Sequence, residues 1–257
     1  MSTIIDKVTN LQDWVYILLI IVMVTFLIIR YYYKKDIYDP EPIRLIILAF
    51  LLGIISILPS FIFEYIAFLL IGQNLFSVIL IAPIIEEYFK YRMVLRISKK
   101  DAFDGPLDGL VYGAVVGCGF ASIENVLYGI QQLYTTGFLD SIFLTSFRSA
   151  TEIIGHPLFT GLIGLYIGKH KVQIIKSHRM KLWRSILLHS IWNTNASVSS
   201  GYNIAMIFLL VIIYLRIMRR DIKYAFELDK KAYEDGFYDR KKKSKGKLIE
   251  NWQKYVT

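Results

Sequence analysis

Long apolar runs dominate this chain, beginning with the run from Trp14 to Tyr33, and polar residues gather in the short intervals between them. A helix needs roughly 20 mostly apolar residues to cross a hydrocarbon core of about 30 Å. Seven segments follow this pattern. They predict an all-α polytopic transmembrane bundle with about seven spans, near residues 14–33, 43–72, 75–97, 108–130, 141–168, 183–200 and 203–218.

The composition agrees with a membrane setting. Of the 257 residues, 55% are hydrophobic, and the mean hydropathy is +0.45, whereas soluble domains are roughly 45–50% apolar. The formal charge of +9 comes from basic residues that lie mainly between the apolar segments. This placement is typical of residues that set the orientation of a membrane protein, so we expect a lipid bilayer as partner. It argues against nucleic-acid binding.

The basic residues also predict an orientation. The connections near residues 73, 131–140 and 201 contain no lysine or arginine. With seven spans, the basic segments all fall on one side, which the positive-inside rule makes the cytoplasm. We therefore expect a multi-pass cell-membrane protein with its N-terminus outside, a transmembrane domain over residues 1–218 and a basic cytoplasmic tail over residues 219–257.

Ionisable residues inside the predicted spans call for a functional explanation, because each costs about 2.5–3.5 kcal/mol on insertion. The third span carries the adjacent residues Glu86 and Glu87, followed by Lys90 within reach of either. Two carboxylates so close do not easily ionise together, so one is expected to hold a proton while the other acts as a base. The alternative is a neutralised Glu–Lys pair that only holds helices together.

The fourth span combines a packing face with a carboxylate. Small residues recur every four positions over 109–121, a stripe that lets helix backbones approach closely in lipid. Glu124 lies one turn beyond Phe120, next to this face, with Asn125 beside it. We expect Glu124 to point into the bundle.

The fifth and sixth spans each carry polar residues spaced four apart. Arg148, Glu152 and His156 lie on one helix face. Arg148 and Glu152 are expected to neutralise each other, which leaves His156 available for chemistry. On the sixth span, His189 can orient a water or polarise a carbonyl, and Asn193 can donate to an oxyanion. The helical rise puts both histidines at depths where they can meet the carboxylates.

Four motifs in this order resemble those of the PrsW family of bacterial intramembrane proteases. They are Glu86-Glu87-x-x-Lys90, Phe120-x-x-x-Glu124-Asn125, a mid-span His156 and His189-x-x-x-Asn193. The run Asp104-Gly-x-x-Asp-Gly-x-x-Tyr-Gly strengthens the resemblance, which covers about residues 80–195.

PrsW proteins are distant relatives of the CAAX prenyl endopeptidases and are known for site-1 cleavage of membrane-anchored anti-sigma factors. The resemblance therefore implies a protease domain over residues 1–218 with its motif core at 80–195. It implies peptide-bond hydrolysis in or near the outer half of the membrane, and regulated intramembrane proteolysis in a stress response. Tyr91 and Glu124 stand where the CAAX enzymes have arginine and histidine, which argues against a prenylated substrate.

These observations lead to one catalytic hypothesis. Glu86 or Glu87 acts as general base on a water held with His156 or His189, and the water attacks the peptide carbonyl. His189 and Asn193 then donate to the tetrahedral oxyanion. The other members of the predicted site are Glu124, whose role is open, and the supporting residues Lys90, Phe120, Asn125, Arg148 and Glu152.

The sequence leaves three alternatives open. No cofactor is favoured, but a zinc variant of the hypothesis would use Glu86 or Glu87 with Glu124, His156 and His189; no His-Glu-x-x-His spacing supports it. A Glu/His proton relay or transporter is a second reading, although the paired broken helices or inverted repeat of transporters are missing from the pattern. The third is a non-catalytic protein that binds a membrane partner.

Overall fold

The computed structural model describes residues 11–197, 203–243 and 250–256, and within these ranges every regular element is helical. Each predicted apolar segment lies on a helix, apart from residues 198–200 of the sixth segment, which fall outside the described residues. The helices are α1 (Leu11–Tyr33), α2 (Ile43–Ile71), α3 (Ala82–Ile97), α4 (Pro106–Thr135), α5 (Phe138–Lys171), α6 (Leu182–Ser197), α7 (Asn203–Glu234) and α8 (Phe237–Lys243). A π-helical turn, Ser77–Ile81, leads into α3, and short 3-10 turns cover Arg179–Lys181 and Trp252–Tyr255.

Four of these helices, α1, α2, α4 and α5, are long and apolar enough to cross a membrane. Helices α3 and α6 have 16 residues each, which is only about 24 Å at 1.5 Å per residue. Helix α7 is long enough, but it carries many charged residues. The chain is thus a multi-pass helical membrane protein, and the full count of seven spans stays a prediction.

Helices α4 and α5 form the centre of the bundle. In the 18-residue stretch that qualifies each helix as a candidate span, 78% of the residues of α4 and 89% of those of α5 are buried. The corresponding shares are 17% for α1 and 39% for α2. Large apolar side chains on α1 and α2, such as Leu19, Phe26 and Leu58, stay exposed. This is the distribution expected where lipid surrounds the rim and helix contacts fill the centre.

The stripe of small residues on α4 is the contact face with α5. A Cβ added at Gly113 would lie 2.5 Å from the carbonyl oxygen of Thr160, and one added at Gly117 would lie 2.5 Å from that of His156. Gly109 and Gly164 likewise touch each other's backbone. The close approach brings the backbone of α5, and with it His156, against α4.

The residues after α7 fold back on the bundle. Helix α7 itself runs past residue 218 to Glu234, through the predicted domain boundary, which stays a prediction. The backbone N–H of Trp252 donates to the carbonyl of Val172 at 2.9 Å. Lys241 pairs with Asp39 at 3.1 Å and also with Asp104. These contacts tie the described part of the tail to the loops at one end of the bundle.

Candidate active site

Helix α3 places three charged side chains in the interior of the bundle. Pro83 is the second residue of this helix, directly after the π-helical turn. One turn later, Glu86 is 7% exposed and Glu87 is fully buried. Lys90 is also fully buried, and its Nζ lies 2.5 Å from Glu87 Oε1 and 3.4 Å from Glu86 Oε2. The ammonium group thus bridges the two adjacent carboxylates.

The two predicted histidines meet this group from α5 and α6. His156 Nδ1 lies 2.9 Å from Lys90 Nζ, and His189 Nδ1 lies 3.1 Å from Glu87 Oε1. The two imidazole rings pack edge to face with their centroids 4.9 Å apart. His189 Nε2 faces Glu86 Oε2 at 3.9 Å. Side chains that are 102 residues apart along the chain thus share one buried site.

A second set of charges adjoins His156. Its Nε2 lies 3.0 Å from Glu124 Oε2 on α4 and 3.6 Å from Glu152 Oε2. Arg148 lies 3.1 Å from Glu124 Oε1 and 3.5 Å from Glu152 Oε1. The expected pairing of Arg148 with Glu152 is confirmed, but Arg148 also pairs with Glu124, and His156, expected to be the most available of the three, contacts Glu124 and Lys90. The guanidinium fork reaches carboxylates on two helices, and both ring nitrogens of His156 have partners.

The remaining predicted residues surround this core. Asn125 Oδ1 accepts a hydrogen bond from Arg148 Nε at 3.1 Å. The Phe120 ring lies under Lys90 Nζ, 4.3 Å from its centroid. Asn193 Nδ2 donates to the carbonyl of Val78 in the π-helical turn at 3.1 Å. One amide hydrogen of Asn193 is therefore committed to the backbone, and among the described residues no acceptor takes the second.

A cavity of about 580 Å³ opens onto this cluster. The predicted residues that line it are Glu86, Phe120, Glu124, Arg148, Glu152, His156, His189 and Asn193. Glu87 and Lys90 have no exposed surface and lie behind this wall. The two adjacent glutamates therefore differ in position, since Glu86 faces the cavity and Glu87 contacts His189 from the protein interior.

Sequence reasoning missed one carboxylate in this wall. Glu64 on α2 is half-buried and lines the same cavity. It is the one ionisable group between residues 45 and 85 apart from Tyr65, and a single carboxylate inside an apolar span is itself a functional signal. That signal was present in the sequence, but Glu64 matches none of the four motifs.

The donor atoms of the cluster can hold a metal ion. One oxygen of Glu86 and one nitrogen each of His156 and His189 lie within 4.8 Å of one another, and all three residues are buried. Two imidazoles and a carboxylate form a ligand set that catalytic zinc uses in other proteins. Glu124, part of the zinc set expected from the sequence, lies outside this group of three but contacts His156.

The fold and the site together define a multi-pass helical membrane protein with acidic and imidazole side chains buried around a cavity. Residues 41–218, more than half of the chain, match the PrsW-protease family, described as "PrsW family intramembrane metalloprotease". The chain therefore belongs to the PrsW family of intramembrane proteases, and the predicted resemblance is confirmed.

Several curated relatives carry the name "Protease PrsW". The one from Geobacillus kaustophilus is 32% identical over 164 residues, which cover 63% of this chain and 69% of the relative. The one from Bacillus subtilis is 29% identical over 167 residues, or 64% of this chain and 73% of the relative. The one from Clostridioides difficile is 26% identical over 221 residues, 82% of this chain and 91% of the relative. No solved structure matches this chain.

Proposed function

We propose that this protein hydrolyses a peptide bond of a membrane-anchored protein, and that the substrate is an anti-sigma factor, as the family resemblance implies. The observation that carries the proposal is the convergence of Glu86, His156 and His189, from three helices, at the wall of one cavity. Burying this many ionisable groups is costly, and in membranes such clusters are functional by default.

Glu86 is the carboxylate that we assign to the reaction. It lines the cavity, whereas Glu87 does not reach it. A general base must come within hydrogen-bond reach of the water that it deprotonates. Glu86 meets this condition for a water in the cavity beside His189, and Lys90 balances part of the local negative charge at 3.4 Å.

Glu87 has a different task in this proposal. Its Oε1 accepts a hydrogen bond from His189 Nδ1 at 3.1 Å. The Phe159 ring stacks on His189 with 5.1 Å between the ring centroids. Glu87 and Phe159 together fix the imidazole so that its Nε2 points towards Glu86. Because Nδ1 carries the ring proton, Nε2 of a neutral His189 accepts a hydrogen bond and so orients the attacking water. The second amide hydrogen of Asn193 donates to the oxyanion.

A metal, which the family description implies, fits the site. Glu86, His156 and His189 would hold it, and His189 already has the arrangement of a metal-binding histidine, whose other ring N–H usually donates to a carboxylate. A bound zinc ion would act as a Lewis acid and lower the pKa of a bound water. Glu124, which lines the same cavity 3.0 Å from His156, is then the carboxylate that accepts the proton.

The position of the cavity supports cleavage in the outer half of the membrane. Its lining extends to Gln73 and Gln131, at the ends of α2 and α4 whose connections carry no lysine or arginine. By the positive-inside rule this end is outside, and the tail, at the opposite end, is cytoplasmic. A substrate anchored by a single span would enter the cavity from that outer side.

Co-expression with single-span reporter proteins, anti-sigma factors included, tests the proposal. Wild type and the control Glu227→Gln, which changes an exposed carboxylate on α7, should yield cleaved reporter. Glu86→Gln and His189→Ala should yield no cleaved reporter when they are present in the membrane at the same abundance as wild type. His170→Ala, a change outside the site, should still yield cleaved reporter. Equal cleavage by all of these variants would refute the proposed function.

A further inference from the structure

A second cluster of buried carboxylates lies at the end of the bundle away from the active-site cavity. Asp36 follows α1, Glu41 precedes α2, and Asp108 lies in the first turn of α4. Their exposed fractions are 4%, 2% and 4%. One oxygen of each lies within 4.8 Å of the others. The loop between α1 and α2 and the distant start of α4 thus bring three carboxylates together.

Local structure fixes Asp108 and Glu41 in place. Asp108 Oδ2 accepts the backbone N–H groups of Asp104 and Gly105, each at 2.6 Å, and so caps the start of α4. Tyr112, one turn further along α4, donates its hydroxyl to Glu41 Oε2. These bonds orient both carboxylates, and they use only one oxygen of each.

The other oxygens in the cluster point to a ligand. Asp36 Oδ1 accepts the N–H of Asp39 at 3.4 Å. Among the described residues, Asp36 Oδ2 and Glu41 Oε1 accept no hydrogen bond from an N–H or hydroxyl group although both atoms are buried, and Glu41 lies close enough to Asp108 for the two carboxyl groups to share a proton. A buried polar atom without a partner is costly, and a charged one more so. A group that binds carboxylate oxygens would remove this cost.

Charge around the cluster is negative. Asp39, Asp104 and Asp229 add carboxylates nearby. Lys241 pairs with Asp39 and Asp104, and the Nζ of Lys171 donates to backbone carbonyls at 2.7 and 3.1 Å. In this part of the described chain, carboxylates therefore outnumber ammonium groups. The surplus of negative charge selects a cationic ligand.

We propose that Asp36, Glu41 and Asp108 bind a divalent cation of the hard, oxygen-preferring kind, Ca²⁺ or Mg²⁺. A site made only of carboxylate oxygens suits these ions better than zinc. Oxygens bound to one Ca²⁺ at about 2.3–2.6 Å lie at most roughly 5 Å apart. The three carboxylate oxygens lie within 4.8 Å of one another, which satisfies this condition for Ca²⁺; the smaller Mg²⁺ would need them to move closer together.

The cation would join the loop between α1 and α2 to the start of α4. Asp104, four residues before Asp108, pairs with Lys241 of α8, so the described part of the tail rests against the same site. Asp108 and Glu124 are 16 positions apart on α4, which is about 24 Å along the helix. The site is thus separate from the active-site cavity, and it stands independently of the proposed function.

Protons are the competing occupants of the cluster. Burial, together with the neighbouring Asp108, raises the pKa of Asp36 to about 9 and that of Glu41 to about 11. Without a cation, these carboxyl groups would therefore hold protons at neutral pH. This competition gives the experiment a definite alternative outcome.

Thermal unfolding of the full-length protein in detergent tests the proposal. The protein is first treated with EDTA, and the EDTA is then removed. Ca²⁺ or Mg²⁺ is added back in increasing amounts. At about 100 times the dissociation constant, the cation should raise the Tm by about 5–10 °C. Equilibrium dialysis with radioactive Ca²⁺ should find an ion that is lost in the Asp36→Asn and Glu41→Gln variants.

Two controls separate this site from other effects. Asp101→Asn changes an exposed carboxylate in the loop before α4 and should keep the full Tm shift. Glu86→Gln should also keep it, because its carboxylate belongs to the other cluster. The proposal is overturned if neither cation changes the Tm of wild type, which means that protons occupy the cluster. It is equally overturned if both Asp36→Asn and Glu41→Gln retain the shift.

Discussion

Lys90 Nζ lies 2.9 Å from Nδ1 of His156 and so connects α3 to α5 in the interior of the bundle. An ammonium group only donates, so Nδ1 of His156 is the acceptor. In the metal-free site, the ring proton of a neutral His156 then sits on Nε2, which faces Glu124 Oε2 at 3.0 Å. A line of close polar contacts therefore runs from Lys90 through His156 to Glu124, which Arg148 pairs with from the other side.

Replacing Lys90 tests the importance of this line. Lys90→Met keeps much of the side-chain volume but removes the charge between two buried carboxylates. Loss of one partner from a buried charged pair costs about 3–5 kcal/mol, so we expect a lower Tm in detergent and loss of reporter cleavage. Lys223→Met, at an exposed position on α7, should change neither. Unchanged stability and cleavage in Lys90→Met would contradict the assigned contacts.

The adjacent glutamates should respond differently to the same substitution. Glu86→Gln removes the carboxylate that faces the cavity and should leave no measurable cleavage. Glu87→Gln keeps an oxygen that can accept the His189 N–H, so it should retain activity reduced by roughly 10- to 100-fold, as is typical for residues that position a ligand or base. Initial rates on one reporter give the comparison. The reverse ranking would exchange the roles of Glu86 and Glu87.

Helix packing gives a prediction about stability alone. In Gly113→Ala the new Cβ would meet the backbone of α5, 2.5 Å from the Thr160 carbonyl oxygen. In Gly155→Ala it would meet only the ring of Phe159 at 3.3 Å, a side chain that can move. Overpacking costs about 1–3 kcal/mol, so Gly113→Ala should have the lower Tm in detergent. Equal melting temperatures would argue against the close contact of α4 with α5.

Much of this arrangement could be predicted from the sequence. Hydropathy located the helices because long apolar segments have few other options in lipid. The small residues of α4 predicted its packing face, and the helical rise put Glu86, Glu124, His156 and His189 at depths where they can meet. These inferences needed only the helical period and rise, which every helix shares.

The remainder depends on how helices pair, which periodicity within one helix does not contain. Arg148 was expected to pair with Glu152 on its own helix, yet it lies closer to Glu124 on α4. The different positions of Glu86 and Glu87 follow from the rotation of α3 relative to α5 and α6. The cluster of Asp36, Glu41 and Asp108 likewise forms only when the loop between α1 and α2 meets the start of α4.

Metal removal distinguishes the two forms of the proposed chemistry. If Glu86, His156 and His189 hold zinc, elemental mass spectrometry should detect zinc in the purified protein. A zinc-selective chelator should then stop cleavage, zinc should restore it, and Glu86→Gln should lower the metal content while Asp101→Asn should not. Full activity in zinc-stripped protein would instead assign the role of general base to Glu86 without a metal.

The most direct measurement places purified protein and a single-span anti-sigma-factor reporter in the same lipid vesicles and identifies the product termini by mass spectrometry. Purification removes the other proteases of the cell, so any cut belongs to this chain. The account predicts a defined cut in or near the outer half of the reporter span with wild type, and none with Glu86→Gln or His189→Ala. An intact reporter with active, folded wild type, or the same cut with Glu86→Gln, would contradict it.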